Sequence, residues 1–301
     1  MPDPVALETI AEPARATLAS VAVAHSARPF RAFVAVSLFE FRMAARSRWT
    51  IASALAFACI AVAISYFGLF GAGYLEFQGF ERTAISLLSL VVFLAPLLGL
   101  VLGLGSFAGP EMLDLLFAQP PGRTAVVVGK LAGLTLTIGA AVATGLGLAG
   151  LVIASQVGAD GIAGYIALVA VSVVLGGIFV GIAALCGLAL RDRLQASGAA
   201  VGAWVWFVFL SEMVVLGVLF IVPEVSVRPL LIAAVFLSPV TLARVLVLLA
   251  LGAQPVLGPS GALLLRTFGE TGAFIALAAG LTAWLVVTWV AAAVIARLRD
   301  A

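Results

Sequence analysis

The chain has 301 residues, 64% of them hydrophobic and 10% charged, with a formal net charge of +2 and a mean hydropathy of +1.25. Soluble domains carry about 25% charged residues, so too little polar surface is present here to keep the chain dissolved. A soluble globular class is excluded, the lipid bilayer becomes the expected surrounding, and no nucleic-acid partner is expected.

Residues 1–29 read as a flexible cytoplasmic tail. They are not a cleavable signal, because Asp3, Glu8, Glu12 and Arg15 interrupt what should be a short apolar core behind a basic start. From Phe30 the pattern changes. Phe30, Val34, Leu38 and Phe41 recur at helical spacing while Arg31, Arg42 and Arg46 take another face. Residues 30–49, with Arg48 near their end, are therefore expected to form an amphipathic basic helix along the cytoplasmic membrane surface.

Five stretches then lack Asp, Glu, Lys and Arg altogether: 50–75, 83–110, 131–159, 161–190 and 271–296. A sixth, 194–222, is interrupted only by Glu212. A helix rises about 1.5 Å per residue and the hydrocarbon layer is about 30 Å thick, so roughly 20 apolar residues cross it. Lipid offers no partner for backbone N–H and C=O groups, so each span must be a helix or part of a closed barrel, and runs this long without alternation exclude the barrel. The expected fold class is an all-α integral membrane protein with six transmembrane helices, forming a permease-sized domain over residues 50–299.

Arginine and lysine counts set the orientation. With the N-terminus inside, the inner segments hold Arg15, Arg28, Arg31, Arg42, Arg46, Arg48, Arg123, Lys130, Arg191, Arg193, Arg297 and Arg299, against Arg82, Arg228, Arg244 and Arg266 outside. Twelve against four places both termini in the cytoplasm.

Within the spans, small residues recur four apart: Gly99 and Gly103, Gly139 with Ala143 and Gly147, Gly177 and Gly181, Gly198 and Gly202. In lipid, such positions let helix backbones approach closely. Packing inside the bundle is the plainer explanation, a dimer seam or moving interface the other. Gly145, Gly147 and Gly150 satisfy a dinucleotide-binding spacing, but they sit mid-span and follow no strand. Gly129 and Lys130 lack the Ser or Thr and the upstream Gly of a phosphate loop. With one His, His25, and with Cys59 and Cys186 inside spans, no metal cluster or disulfide framework is implied. No catalytic residue, metal or cofactor is expected in this chain.

The loop after the second span, 109–123, is the most specific region. Between Pro110 and Pro120, residues Glu111, Leu113, Asp114, Leu115, Leu116 and Phe117 make a short helix with Leu113, Leu116 and Phe117 available to one face. Such a helix, joined to two spans, is either a capped turn or a rigid element on which an outside protein pushes. The other inner loop, Arg191, Asp192 and Arg193, is long enough only to turn between spans or to touch a cytoplasmic partner.

Glu212 is the costliest side chain, since a carboxylate at the bilayer centre costs about 2.5–3.5 kcal/mol on insertion scales. Nineteen residues after Arg193, or roughly 28 Å along a helix, it lies toward the outer leaflet. A polar contact inside a dimer or near an external exit is expected, or a snorkelling acid at the outer boundary. Within the outer segment 224–270, the stretch 229–265 is apolar but broken by Arg244 and by Pro239, Pro255 and Pro259. As one helix its 37 residues would reach about 55 Å, while two crossings need about 60 Å plus a turn. It reads as re-entrant or interfacial helices at the outer face.

In Leu115-Leu116, the Pro120 to Arg123 stretch and Gly129-Lys130, the chain resembles the permease subunits of ABC-2 type ATP-binding-cassette transporters. Their first cytoplasmic loop carries a Leu-Leu pair, then Pro-x-x-Arg, then Gly-Lys opening the third helix. Lys130 is also the only lysine beside fifteen arginines. The likeness runs from Phe30 to Arg299. Two departures stand in the loop: Gly109 where an acid is usual, and Glu111-Met112 where Gly-Thr is usual. Within the family, the stretch from Ala196 to Phe209 with Glu212 after it, and Leu237-Ser238-Pro239 ahead of Arg244, are most similar to the Nos-type permease, which serves maturation of the copper site of nitrous-oxide reductase.

This resemblance implies a bacterial inner-membrane protein working as two permease copies, a homodimer, on two cytoplasmic ATPase subunits that hold ATP and magnesium. Closure of the ATPases would move the loop helix, with Arg123, Lys130 and the Arg191 to Arg193 turn as further coupling positions, and a periplasmic accessory protein would dock at the outer segment. Cys59, Cys186 and Met213 are too few and too scattered for a Cu(I) relay, so force or a non-metal substrate is what the chain is expected to pass on. An ABC-2 exporter for another substrate remains the alternative, and behind it an ion-coupled secondary transporter, for which only Glu212 offers a midplane ionisable group.

Overall fold

The structure, a computed structural model, describes residues 28–72, 79–108, 123–157, 162–190, 192–219, 224–253 and 256–298. The helices follow the uncharged runs, because backbone groups in hydrocarbon have only their own segment to bond to. In chain order they are α1 (Arg28–Ala45), α2 (Arg48–Ala72), α3 (Gly79–Phe107), α4 (Arg123–Val157), α5 (Ile162–Ala189), α6 (Arg193–Val205), a π-helical turn (Trp206–Leu210), α7 (Ser211–Leu219), α8 (Glu224–Leu237), α9 (Pro239–Ala250) and α10 (Gly258–Leu298). No strand occurs among the described residues.

The chain is an all-α, multi-span membrane protein. Among the described residues five stretches are long and apolar enough to cross a bilayer: Thr83–Phe107, Arg123–Ser155, Ile162–Ala189, Arg193–Gly217 and Ser260–Leu298. Two bent pairs, α1 with α2 at 68° and α8 with α9 at 104°, raise the number to as many as seven. The described part of the run at 50–75, as far as Ala72, lies on α2, the second half of the first bent pair.

Several hydroxyls inside the spans bond back to the preceding turn of their own helix. Ser65 donates to the Ala61 carbonyl at 2.8 Å, Thr135 to Leu131 at 2.8 Å and Thr137 to Gly133 at 3.0 Å. Such back-bonding lets a polar side chain sit in a buried helix without a partner from outside.

α5 is the central rod. In its most apolar stretch 67% of residues are buried, against 11% for the α6 to α7 stretch and 22% for α10. The α3–α5 pairing is the most extensive among the described helices, and glycines explain its closeness. A Cβ added at Gly99 would lie 2.5 Å from the Gly176 carbonyl oxygen, and one at Gly103 2.5 Å from the Ala183 Cβ. On the other side of α5, Trp289 of α10 donates to the Gly177 carbonyl at 3.1 Å. The small-residue sets are therefore unequal. Gly99, Gly103, Gly177 and Gly181 are filled by neighbouring helices, Gly139 makes ordinary contact, and Gly147, Gly198 and Gly202 have nothing within 4 Å among the described residues.

Two breaks shape the segment between α7 and the end of the chain. Pro239 has no N–H to give and disfavours a helical residue before it, so Ser238 is extended (φ −117°, ψ 117°) and caps α9 through the Thr241 N–H at 3.4 Å. α8 and α9 consequently meet at 104°. α10 is broken at Gly269, whose φ of 68° and ψ of 175° suit glycine alone. The run expected at 271–296 is the straight part beyond that break. Gly269→Ala is expected to cost about 1–3 kcal/mol, read as a lower thermal unfolding temperature of the detergent-purified chain. An unchanged temperature would mean that α10 straightens there without penalty.

Candidate functional site

Three helices converge on one buried carboxylate. Glu40, on α1, is 3% exposed. Its Oε1 lies 3.4 Å from Lys130 Nζ, seven residues into α4, and accepts a hydrogen bond from the Ser106 hydroxyl at the end of α3. Lys130 is itself 8% exposed, and its ammonium stands 5.7 Å from the centre of the Phe107 ring. A buried charge needs both a counter-charge and hydrogen bonds, and this cluster supplies them from the two helices that flank residues 109–122.

α1 reaches that position because α4 is smooth beneath it. A Cβ at Gly129 would meet Val36 at 3.0 Å, and one at Gly133 would meet the Ser37 carbonyl oxygen at 2.5 Å and the Glu40 Cβ at 2.8 Å. Gly129-Lys130 thus works locally as a seat and an anchor: the glycine admits the helix, and the next residue binds its carboxylate. The C-terminal end of α10 is tied to the start of α4, where Arg297 Nε donates to Thr124 Oγ1 at 2.6 Å.

The basic residues of α1 divide from this buried face. Arg31, Arg42 and Arg46 are exposed, as is Arg48 at the start of α2. Phe30, Leu38 and Phe39 are exposed as well, while Ser37 and Glu40 are buried, so the face turned to the protein is set by α4 and carries a charge. Arg123 opens α4 and is half-buried. Asp192 caps α6 by accepting from the Leu194 N–H at 3.1 Å, and Arg193 beside it is exposed. Glu111, Leu113, Asp114, Leu115, Leu116, Phe117 and Pro120, together with Arg191, lie outside the described residues.

At the other end, Glu212 and Arg244, 32 residues apart, meet as an ion pair at 2.5 Å. The π-helical turn before Glu212 fixes it. The Phe207 carbonyl accepts the hydroxyls of Ser211 at 3.0 Å and of Ser238 at 3.5 Å, tying this helix to the break between α8 and α9. Aromatic rings brace the turn from three sides, with Phe93 against Phe209 at 5.3 Å, Phe179 against Phe207 at 6.2 Å and Trp284 against Phe207 at 5.5 Å. Pro239 is buried at the start of α9.

Among the described residues no group of three or more His, Cys, Asp or Glu is placed to hold a metal ion. The sites do not assemble a nucleophile with a base. They are ion pairs and caps that hold helices to one another.

Sequence reasoning reached Lys130, Glu212 and Arg244 singly and missed their partners. The signal for Glu40 was present: it is the one carboxylate on a basic helix, ahead of a span that opens with the only lysine. Comparison with known proteins gives one consistent result. A family model described as ABC-2 family transporter protein matches residues 34–297. The chain is 33% identical over 181 residues to the "Probable ABC transporter permease protein NosY" of Pseudomonas aeruginosa, and 33% identical over 183 residues to the protein of the same name from Stutzerimonas stutzeri. Each alignment covers 58% of this chain and 66% of the relative, so the chain spans just under two thirds of the length of these relatives.

Proposed function

Because this chain belongs to the ABC-2 family of transporter proteins, we propose that it works as one of two identical permease copies seated on two cytoplasmic ATPase subunits in a bacterial inner membrane. It is the non-catalytic membrane subunit: ATP and magnesium belong to the partner, and this chain turns the partner's closure into movement of its own helices. Six crossings with both termini inside remain the preferred topology, with α8 and α9 as a re-entrant pair at the outer face.

The observation that carries this reading is the cluster of Glu40, Ser106 and Lys130. Any displacement of residues 109–122 is delivered at both ends to helices fastened to α1, so the loop, α1, α3 and α4 move as a unit. Leu113, Leu115, Leu116 and Phe117 are the positions proposed to meet the ATPase, with Glu111, Asp114, Arg123 and the turn at Arg191 around them. Against the ion-coupled alternative, Glu212 does not stand alone in its span but is paired with Arg244.

The finer assignment, service to copper-site assembly in nitrous-oxide reductase, is supported by the similarity to NosY-named permeases. In that role the chain passes force, or a non-metal substrate, to a periplasmic partner at the outer segment. Cys59 is exposed, Cys186 half-buried on a different span, and Met213 exposed, which offers copper no series of soft ligands.

Replacing Leu115 and Leu116 together with Asp is expected to abolish co-purification with the ATPase while the permease keeps its thermal unfolding temperature. A wild-type chain that purifies alone, with no nucleotide-hydrolysing companion, defeats the proposal.

A further inference from the structure

A cavity of about 290 Å³ lies among α7, α8, α9 and the turn that opens α10. Its floor is apolar, formed by residues such as Leu231, Val235 and Leu248. Its rim carries the Glu212–Arg244 pair, with the side chains of Thr241 and Ser260 nearby. An apolar pocket with a few convergent polar groups is the usual form of a small-ligand site, and this one sits on the half of α6–α7 that faces the outer leaflet in the topology above.

The ion pair is open to a second partner. Among the described residues, one guanidinium nitrogen meets one carboxylate oxygen, whereas the guanidinium has five donors and the carboxylate about four acceptor sites. The two side chains remain 34% and 38% exposed. The unused donors suit a phosphate, and the unused carboxylate oxygen suits an ammonium with N–H groups. A headgroup carrying both charges leaves the site neutral. A purely anionic headgroup would face Glu212, and a purely cationic one would face Arg244.

We propose that this cavity binds a zwitterionic phospholipid whose headgroup joins a phosphate to a primary ammonium, the phosphate on Arg244, the ammonium on Glu212, and the start of one acyl chain over Leu231 and Val235. The inference goes beyond the transporter reading and uses only its outer-leaflet placement of Glu212. Lipid binding needs no ATPase, so the two stand or fall on separate measurements.

The test is native mass spectrometry of the full, delipidated chain titrated with phosphatidylethanolamine, phosphatidylcholine and phosphatidylglycerol of identical acyl chains. One phosphatidylethanolamine per chain is expected to be held about tenfold more tightly than either of the others, the worth of one charge-assisted hydrogen bond. Phosphatidylcholine has no N–H to offer Glu212, and phosphatidylglycerol has no cation. Glu212→Gln should erase the preference over phosphatidylcholine, and Arg244→Gln should weaken all three. Ala234→Phe, which fills the cavity and leaves both charges in place, should lose the bound lipid without lowering the thermal unfolding temperature. Equal retention of the three lipids by the unsubstituted chain, tighter retention of phosphatidylglycerol, or undiminished phosphatidylethanolamine on Ala234→Phe would each overturn the proposal.

Discussion

Glu40→Ala and Lys130→Ala are each expected to destabilise the protein by about 3–5 kcal/mol, because each leaves the other charge buried without its partner. With exposures of 3% and 8%, neither group can recover hydration by a small movement. The double replacement Glu40→Leu with Lys130→Met should restore most of the loss, since apolar groups of similar volume often match or exceed a buried pair. Thermal unfolding in detergent reads this cycle. Single and double variants that simply add would show that the two residues do not interact. Coupling to the ATPase should behave differently: the double variant regains stability but loses the rigid tie across residues 109–122, so ATP hydrolysis in the assembled complex should no longer respond to the permease.

A single methyl at Gly99 is expected to be nearly as damaging. The added carbon would stand 2.5 Å from the Gly176 carbonyl oxygen and 3.1 Å from the Val180 nitrogen, both main-chain atoms of α5 that cannot rotate away. Gly99→Ala must therefore push α3 off α5, at a cost of about 1–3 kcal/mol or more. Gly105 and Gly147, in α3 and α4, have nothing within 4 Å among the described residues. Alanine there should be neutral or stabilise by up to about 1 kcal/mol, as helix propensity dictates. The contrast is the measurement: three identical substitutions, one of them disruptive. If all three shift the unfolding temperature alike, close approach of α3 and α5 is not what makes Gly99 necessary.

These glycines show where a sequence stops being legible. Spacing marked Gly99 with Gly103 and Gly198 with Gly202 in the same way, yet the first two are filled and the second two are open. Which faces meet depends on helix order and rotation, and a run of uncharged residues records neither. Chain breaks were more readable. Leu237-Ser238-Pro239 has its consequence written locally, because proline constrains its own and the preceding backbone, and the 104° bend follows. The break at Gly269 was not separable from the other glycines, since nothing beside it in sequence demands a positive φ. Lys130 stood out by rarity and Glu212 by cost, but pairing each across 90 and 32 residues, respectively, required the packing of α1 on α4 and of α9 on the π-helical turn ahead of Glu212.

The seat of α1 also imposes a chronology on biogenesis. Glu40 leaves the ribosome long before the residue that neutralises it, with two hydrophobic helices still to be threaded into the bilayer. Until α4 arrives, that carboxylate has only headgroup water and its own arginine-rich neighbourhood for company, so the leading helix must wait at the membrane surface. Docking of α1 is thus a late, sealing event, possible only once α4 and its lysine have been inserted.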